Sequence, residues 1–124
     1  MEIGKLCFIR DIYKEIGDFG QSFNERYDIG LNEVIALCAL TEGRLSSGDL
    51  AEKLGLTNSN TSKVIKLIEQ KGYVERILGE TDKRQMYFKL TEEGRRQIGI
   101  VRSAKIQLPE LLEELLGLRL AETK

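Results

Sequence analysis

Hydrophobic residues recur every three or four positions over the first 27 residues, which predicts a long amphipathic helix. The stripe consists of Ile9, Ile12, Tyr13, Ile16, Phe19, Phe23 and Tyr27. Gly17 and Gly20 interrupt it, and each costs about 1 kcal/mol relative to alanine inside a helix. Packing against other segments must therefore stabilise this helix, and residues 28–30 end the pattern.

A nearly all-apolar segment follows at residues 31–40, and its length favours a buried helix over a strand. Within it, Cys38 falls on the same face as Val34 and Ile35 by helical spacing. A thiol in such a position usually packs as a small hydrophobic group. We therefore expect Cys38 to belong to the core and to have no functional role.

Two short helices are predicted next, separated by a glycine. Ser46 and Asp49 have the spacing of a capping box, which satisfies the free N–H groups of a first helical turn. Gly55 ends this helix, and Thr57 is a good N-cap for the next one. That second helix is predicted from about residue 58 to residue 70.

The second helix begins with amide, hydroxyl and ammonium side chains and becomes apolar only in its later turns. Two helices joined by a short turn around glycine, with a polar start to the second, are typical of a helix-turn-helix. Asparagine pairs with adenine, lysine with the acceptors of guanine, and serine or threonine with several base edges or with phosphate. The alternative is a capped surface helix that is polar for no functional reason.

Residues 73–90 predict a β-hairpin, because residues 73–78 are β-prone, residues 79–84 are turn-like and residues 85–90 alternate. Met86, Phe88 and Leu90 are expected to face the core, and Gln85, Tyr87 and Lys89 to face outward. A hairpin directly after a recognition helix is a wing. Its tip carries Lys83 and Arg84, and a narrow minor groove attracts such cations.

The tail returns to helix. Thr91 is expected to cap a helix that reaches about Ile106, and Pro109 to be the first residue of a last helix. That last helix carries Leu111, Leu112, Leu115, Leu116 and Leu118. This apolar surface, together with the first helix, predicts a dimer interface. The alternative is packing within one chain.

The composition of the 124-residue chain excludes most enzyme chemistry, because the chain has no histidine. Histidine-dependent nucleophilic catalysis, acid–base catalysis and zinc ligation are therefore absent. Cys7 and Cys38 stand 31 positions apart, form no metal-ligand pair and are expected to be reduced. The adjacent acids Glu92-Glu93 and Glu113-Glu114 point different ways on their helices. We expect no enzyme, no catalytic residue, no metal and no cofactor.

No apolar run approaches the roughly 20 residues of a membrane span, and the first residues lack the pattern of a signal peptide. The sequence therefore predicts no membrane association and a cytoplasmic location.

Net charge is −1, but residues 53–105 carry 12 basic and 6 acidic residues, a net +6, while the remainder carries −7. A basic middle between acidic ends favours one face turned to phosphate, against the alternative of a merely solvated surface.

The segment GYVERILGETDKRQMYFKLT, residues 72–91, resembles the wing signature of MarR-family transcriptional regulators. The shared elements are the G-[YWL]-[VI]-x-R opening, the D-x-R at the tip and the [KS]-L-T close. Ahead of it, LSSGDLAEKLGLTNSNTSKVIKLIEQKG resembles the helix-turn-helix of that family in the same order and spacing. The resemblance extends from about the first helix to Ile106.

The resemblance implies a mainly α fold with a small β-hairpin wing, a winged helix-turn-helix with N- and C-terminal dimerisation helices. It implies one domain over residues 1–124, with about 30–92 binding DNA and about 1–28 and 93–124 forming a homodimer. By position, Arg84 matches the arginine that enters the minor groove, and Asp82 the acid that orients basic neighbours. The DNA-binding set is Thr57, Asn58, Ser59, Asn60, Ser62, Lys63, Lys66, Asp82, Lys83 and Arg84, whereas Thr61 matches an inward position.

Two kinds of effector remain open under this resemblance. Some relatives sense peroxide through a cysteine of the first helix, and Leu6-Cys7-Phe8 is similar to that local sequence, although Tyr13 and Tyr27 lack the spacing of the sensor tyrosines. The family default is a small aromatic or anionic ligand between the dimerisation and DNA-binding regions.

Taken together, the sequence features predict a homodimeric, sequence-specific regulator, a repressor acting on a pseudo-palindromic operator of double-stranded DNA. The alternative is a winged-helix protein–protein interaction module.

Overall fold

The computed structural model describes residues 2–79 and 85–122 of the chain. These residues form helices α1 (Ile3–Tyr27), α2 (Leu31–Ala39), α3 (Ser47–Leu54), α4 (Asn58–Gln70), α5 (Glu92–Ser103) and α6 (Glu110–Glu122) and strands β1 (Leu45–Ser46), β2 (Val74–Leu78) and β3 (Met86–Leu90). A 3-10 turn, Leu40–Glu42, follows α2. The chain divides into two compact units, one containing α1 and α6 and the other spanning Ile29–Ala104.

The core of the second unit lies among α2, α3 and α4. Leu37, Leu50 and Ile68, one from each helix, are completely buried. The apolar periodicity of each helix thus turns one face inward, and burial of such side chains contributes roughly 1.5–3 kcal/mol each. Phe88 and Leu90 of β3 are also buried, so the sheet contributes to the core of this unit.

The strands form one antiparallel sheet in the order β1-β3-β2. The predicted hairpin is confirmed, with Arg76 opposite Phe88 and Glu75 opposite Lys89. The predicted alternation also holds for the buried Phe88 and Leu90 and the exposed Gln85 and Lys89, while Met86 and Tyr87 are half-buried. β1 pairs with β3 through Leu45 and Ser46 and was not predicted, because two residues are too few to show a period of two.

Side-chain caps begin three helices where the sequence predicts them. The Ser46 hydroxyl accepts from the Asp49 N–H at 3.1 Å, and the Asp49 carboxylate accepts from the Ser46 N–H at 3.3 Å, which confirms the capping box. Thr57 caps α4 and Thr91 caps α5 in the same way, each accepting from the third helical N–H. The start of each helix is therefore encoded by residues beside it.

A close backbone contact fixes α5 against the beginning of the wing. The Thr91 N–H donates to the Tyr73 carbonyl oxygen at 3.0 Å, and the Thr91 hydroxyl donates to the Gly72 carbonyl oxygen at 2.6 Å. A Cβ on Gly94 would lie 2.1 Å from the same Tyr73 oxygen. Only glycine allows the first turn of α5 to approach this closely.

Two sequence predictions, the burial of Cys38 and the end of α5, are wrong. Cys38 is exposed rather than buried and Ile35 is 47% exposed, so only Val34 of the predicted face is buried, because α2 turns Ala36 and Leu37 inward. The apolar helix offers two apolar faces, and periodicity alone did not select between them. α5 ends at Ser103 rather than near Ile106, since the extended backbone of Ala104 (ψ 141°) breaks the helical ladder.

Pro109 lies just before α6 instead of inside it. Its carbonyl oxygen accepts from the Glu113 N–H at 2.9 Å, so the helix begins at Glu110. The difference is one residue, within the usual variation of helix boundaries. Pro109 still serves the helix start, because its backbone supplies the first acceptor.

The first unit has much apolar surface in contact with solvent. In α1, the rings of Phe19, Phe23 and Tyr27 lie next to one another along one side, tilted by 46° and 48°, but Tyr13 is 80% exposed. No residue of α6 is buried, and Leu118 is 65% exposed. The helices of this unit therefore expose apolar side chains that the described chain leaves uncovered.

Candidate nucleic-acid interface

One face of α4 carries the polar residues that the sequence singles out. Thr57, Asn58, Ser59, Asn60, Ser62, Lys63 and Lys66 are all exposed. The opposite face packs inward through Val64, Ile65 and Ile68. The helix therefore presents amides, hydroxyls and ammonium groups on the side opposite its core contacts.

Thr61 lies among these polar residues but points inward, as predicted. It is 1% exposed, and its hydroxyl donates to the Thr57 carbonyl oxygen at 2.8 Å. Because the hydroxyl is satisfied within its own helix, its burial costs little. Thr61 therefore belongs to the support of the helix and not to its exposed face.

The turn between α3 and α4 holds this face in place. Gly55 has a left-handed backbone (φ 66°), a conformation that glycine adopts without strain. Its N–H and that of Leu56 donate to carbonyl oxygens of α3, which closes the end of that helix. Thr57 then caps α4 through the Asn60 N–H at 3.1 Å. Asn60 thus has its backbone fixed while its side chain stays exposed.

Lys63 and Lys66 supply positive charge on the exposed face. Neither has an acidic partner within ion-pair distance in the part of the chain that the structure describes. Among the described residues, no neighbour therefore neutralises their ammonium groups. Such lysines suit contacts with phosphate, which carry affinity without sequence information.

The wing consists of β2 and β3, and its strands stay paired up to Gly79, whose N–H donates to the Gln85 carbonyl oxygen at 2.8 Å. Asp82, Lys83 and Arg84, the tip residues of the predicted DNA-binding set, lie outside the described residues. Their assigned roles stay predictions. What the structure establishes is the paired part of the wing, up to Gly79 and Gln85.

An ion pair that sequence reasoning missed joins the wing to α4. Arg76 of β2 donates from Nε and Nη2 to the two carboxylate oxygens of Glu69, at 2.7 and 2.9 Å. The guanidinium also lies over the Phe88 ring, 5.6 Å from its centre. The hydrogen bonds and the charge of Glu69 raise the pKa of Arg76 above its usual value, so the side chain stays cationic. The only sequence signal was the arginine of the GYVER motif.

Within the first unit, a cavity of about 470 Å³ lies beside the end of α1. Its wall combines aromatic rings, Phe19, Phe23 and Tyr27, with the cationic side chains of Arg26 and Lys105. An aromatic ring would find apolar contacts there, and a carboxylate would find positive charge. The cavity thus suits a small aromatic anion.

The remaining candidate chemistry is sparse. Both cysteines are free thiols, Cys7 half-buried and Cys38 exposed. Over residues 2–79 and 85–122, no group of three or more cysteine, aspartate or glutamate side chains is arranged to hold a metal ion. Among the same residues, no helix has the length and apolar character to cross a membrane.

Comparison with known proteins identifies the helix-turn-helix and wing. The model of the MarR family matches residues 27–85. The chain is 34% identical over 77 residues to the exopolysaccharide II synthesis transcriptional activator ExpG of Rhizobium meliloti (strain 1021), covering 62% of this chain and 40% of that protein. The matches span 40% to 63% of the length of such curated relatives.

The fold has close counterparts among solved structures. The transcriptional regulator BldR from Sulfolobus solfataricus superimposes with a TM-score of 0.69 at 22% identity, covering 98% of this chain and 94% of that one. The MepR–DNA complex of S. aureus gives a TM-score of 0.63 at 21% identity, covering 94% and 98%. At these identities the structures support the fold alone. The family-model match over residues 27–85 and the curated relatives show that the chain belongs to the MarR family, and its winged-helix fold agrees with that assignment.

Proposed function

We propose that the chain is a sequence-specific DNA-binding transcriptional regulator, with α4 entering the major groove and the wing reaching the adjacent minor groove. The observation that carries this proposal is the exposed face of α4, where Asn58, Asn60 and Ser62 present groups that pair with base edges. Lys63 and Lys66 displace counterions from phosphates. Activity of this kind is binding and not catalysis, and it requires the chain to share the compartment of its DNA, the cytoplasm as predicted.

A homodimer is the second part of the proposal. Apolar side chains such as Tyr13 of α1 and Leu118 of α6 are uncovered in one chain, and a second copy would cover them. A two-fold dimer presents two α4 helices to half-sites about 34 Å apart, which matches a pseudo-palindromic operator. Bound across a promoter, such a dimer excludes polymerase and acts as a repressor. Since one relative is named an activator, the test must also measure the direction of regulation.

The cavity of the first unit supports control by a small ligand. A small aromatic anion bound by the Phe19, Phe23 and Tyr27 rings and by Arg26 or Lys105 would favour the dimer in which it fits best. If that dimer holds the two α4 helices at a different spacing, DNA affinity falls. The ligand therefore acts as a release signal through its preference for one arrangement.

Selection of bound fragments from a random duplex pool, at near-physiological salt, tests the function. An enriched inverted repeat with half-sites one helical turn apart would support the dimeric regulator and supply its operator. Retention that is sensitive to salt but enriches no sequence would reject sequence-specific binding. Absence of retention, from a chain shown to be folded, would favour the protein–protein interaction module instead.

The salt dependence separates DNA binding from protein binding. About six phosphate contacts would weaken binding roughly 10³-fold between 50 and 200 mM salt, whereas a protein interface would respond less. Coupling the operator to a reporter gene then gives the direction of regulation. Reporter output that rises on removal of the protein supports repression, and output that falls supports activation.

A further inference from the structure

A shallow groove of about 200 Å³ separates α4 from the wing, on the side of the second unit where the start of α3 also lies. It is lined by Ser47, Ser62, Ile65, Arg76, Met86 and Phe88. Ile65 and Phe88 are buried and form the floor, whereas Ser47, Ser62 and Arg76 are exposed at the rim. The groove therefore combines a hydrophobic floor with a polar and cationic rim.

The rim has hydrogen-bond donors that the protein itself leaves available. The hydroxyls of Ser47 and Ser62 have no hydrogen-bond partner among residues 2–79 and 85–122. Arg76 uses one edge of its guanidinium for Glu69, and an arginine has five N–H donors in all. Ser47 is the first residue of α3, so the positive end of that helix dipole also lies here, partly offset by Asp49.

The position of the groove restricts what can occupy it. If α4 lies in a major groove and the wing in the neighbouring minor groove, the sugar–phosphate strand that divides the two grooves must pass between them. Ser62 is on α4, and Arg76 and Met86 are on the strands of the wing. The space between these elements is the groove just described.

We propose that this groove seats the sugar–phosphate backbone between the two DNA grooves, with the Arg76 guanidinium and the Ser47 and Ser62 hydroxyls donating to one phosphate. Met86 and the floor then face the apolar side of a deoxyribose. The inference rests on the proposed function and deepens it, because it assigns Ser62 to the backbone rather than to a base. Ser47 and Arg76 become DNA contacts that the sequence did not indicate.

The proposal predicts the direction in which DNA affinity changes when the charge of Glu69 is removed. Its carboxylate neutralises Arg76 in the unbound protein and repels a phosphate that approaches the same guanidinium. Removing the carboxylate charge would therefore strengthen DNA binding if Arg76 contacts phosphate. If the pair served only to hold the wing against α4, breaking it from either side would weaken binding.

The experiment compares the full chain with Arg76→Gln, Glu69→Gln and the double variant Ser47→Ala/Ser62→Ala on a duplex operator. A neutral methylphosphonate replaces each phosphate of one half-site in turn. For the wild type, a methylphosphonate at one position between the α4 and wing footprints should lower the affinity about tenfold. This is the usual scale of one charge-assisted hydrogen bond. The Arg76→Gln variant should bind the unmodified operator about tenfold more weakly than the wild type. Placing the methylphosphonate at the sensitive position should then lower its affinity little further.

Arg96→Gln is the matched control, because Arg96 also pairs with a glutamate, Glu93, but lies on α5 away from the groove lining. It should leave the sensitive phosphate unchanged. The proposal also expects Glu69→Gln to bind several-fold more tightly and the serine double variant to lose binding equally on specific and random duplexes.

Two results would overturn the inference while leaving the proposed function intact. One is wild-type affinity and an unchanged methylphosphonate profile in Arg76→Gln. The other is a parallel loss of affinity in Arg76→Gln and Glu69→Gln, which would make the pair a structural link alone. Failure of the folded wild type to bind any duplex would instead reject the proposed function itself.

Discussion

Lys71 Nζ lies 2.8 Å from Glu33 Oε2, so the residue that caps the end of α4 forms an ion pair with the first turn of α2. The two side chains are 29% and 10% exposed, which leaves the pair more desolvated than the other ion pairs of the described chain. If one partner is removed, the charge of the other stays partly buried, and water hydrates it only in part. Losing either side chain of this pair is therefore unfavourable.

Glu33→Gln should therefore lower the free energy of unfolding by about 1–3 kcal/mol, the scale of a hydrogen bond between charged groups. Glu75→Gln is the matched control, since Glu75 pairs with Lys89 at 3.2 Å in a largely exposed position and should cost under about 1 kcal/mol. Urea unfolding of the two variants measures both values. Equal losses would show that burial does not strengthen the Glu33 pair.

A pair of glycines in α5 gives a sharper test of packing. Gly94→Ala should destabilise the chain by about 1–3 kcal/mol, because the new Cβ would lie 2.1 Å from the Tyr73 carbonyl oxygen. Gly99→Ala, in the same helix with nothing within 4 Å, should instead stabilise it by about 0.5–1 kcal/mol. Thermal unfolding measures both changes, because the melting temperature should fall in Gly94→Ala and rise in Gly99→Ala. A neutral Gly94→Ala would mean that α5 is not held against Tyr73.

Base reading and phosphate binding are predicted to come from different residues of α4. Asn60→Ala should cost about 1–3 kcal/mol at one base position and change the preference there. Lys66→Ala should weaken binding to specific and random duplexes alike, as a phosphate contact does. Repeating the duplex selection with each variant distinguishes the two patterns. A loss with Asn60→Ala that is equal on all sequences would assign Asn60 to the backbone.

Arg84, which lies outside the described residues, carries the prediction for the wing tip. Arg84→Ala should weaken binding to most sequences and reduce the salt dependence by about one ion. Arg119→Ala removes the same charge from α6 and serves as the control. Affinities measured across a salt series test both, and an unchanged slope in Arg84→Ala would reject the assignment of this arginine to DNA.

Local signals account for what the sequence predicted well. The Ser46–Asp49 box, the Thr57 and Thr91 caps and the hairpin depend on residues a few positions apart, and the structure contains all of them. The inward Thr61 came from family resemblance, and its burial confirms the register of α4.

The features that were missed depend on distant residues. The Glu69–Arg76 pair spans a helix and a strand, and β1 exists only because β3 lies beside it. Cys38 was misplaced because either face of an apolar helix satisfies the same periodicity. The groove of the second unit combines side chains from four elements, α3, α4, β2 and β3, and no single motif contains it.

The central position of β3 has a mechanical consequence. β3 pairs with β2 on one side and with β1 on the other, and Ser46 of β1 is also the residue that caps α3. Tilting the hairpin relative to the helices would either break the pairing of β1 with β3 or pull Ser46 away from that cap. If α4 and the wing read DNA as proposed, they are thus expected to move as one stiff piece, and a signal that alters operator affinity would reposition whole second units rather than bend the wing.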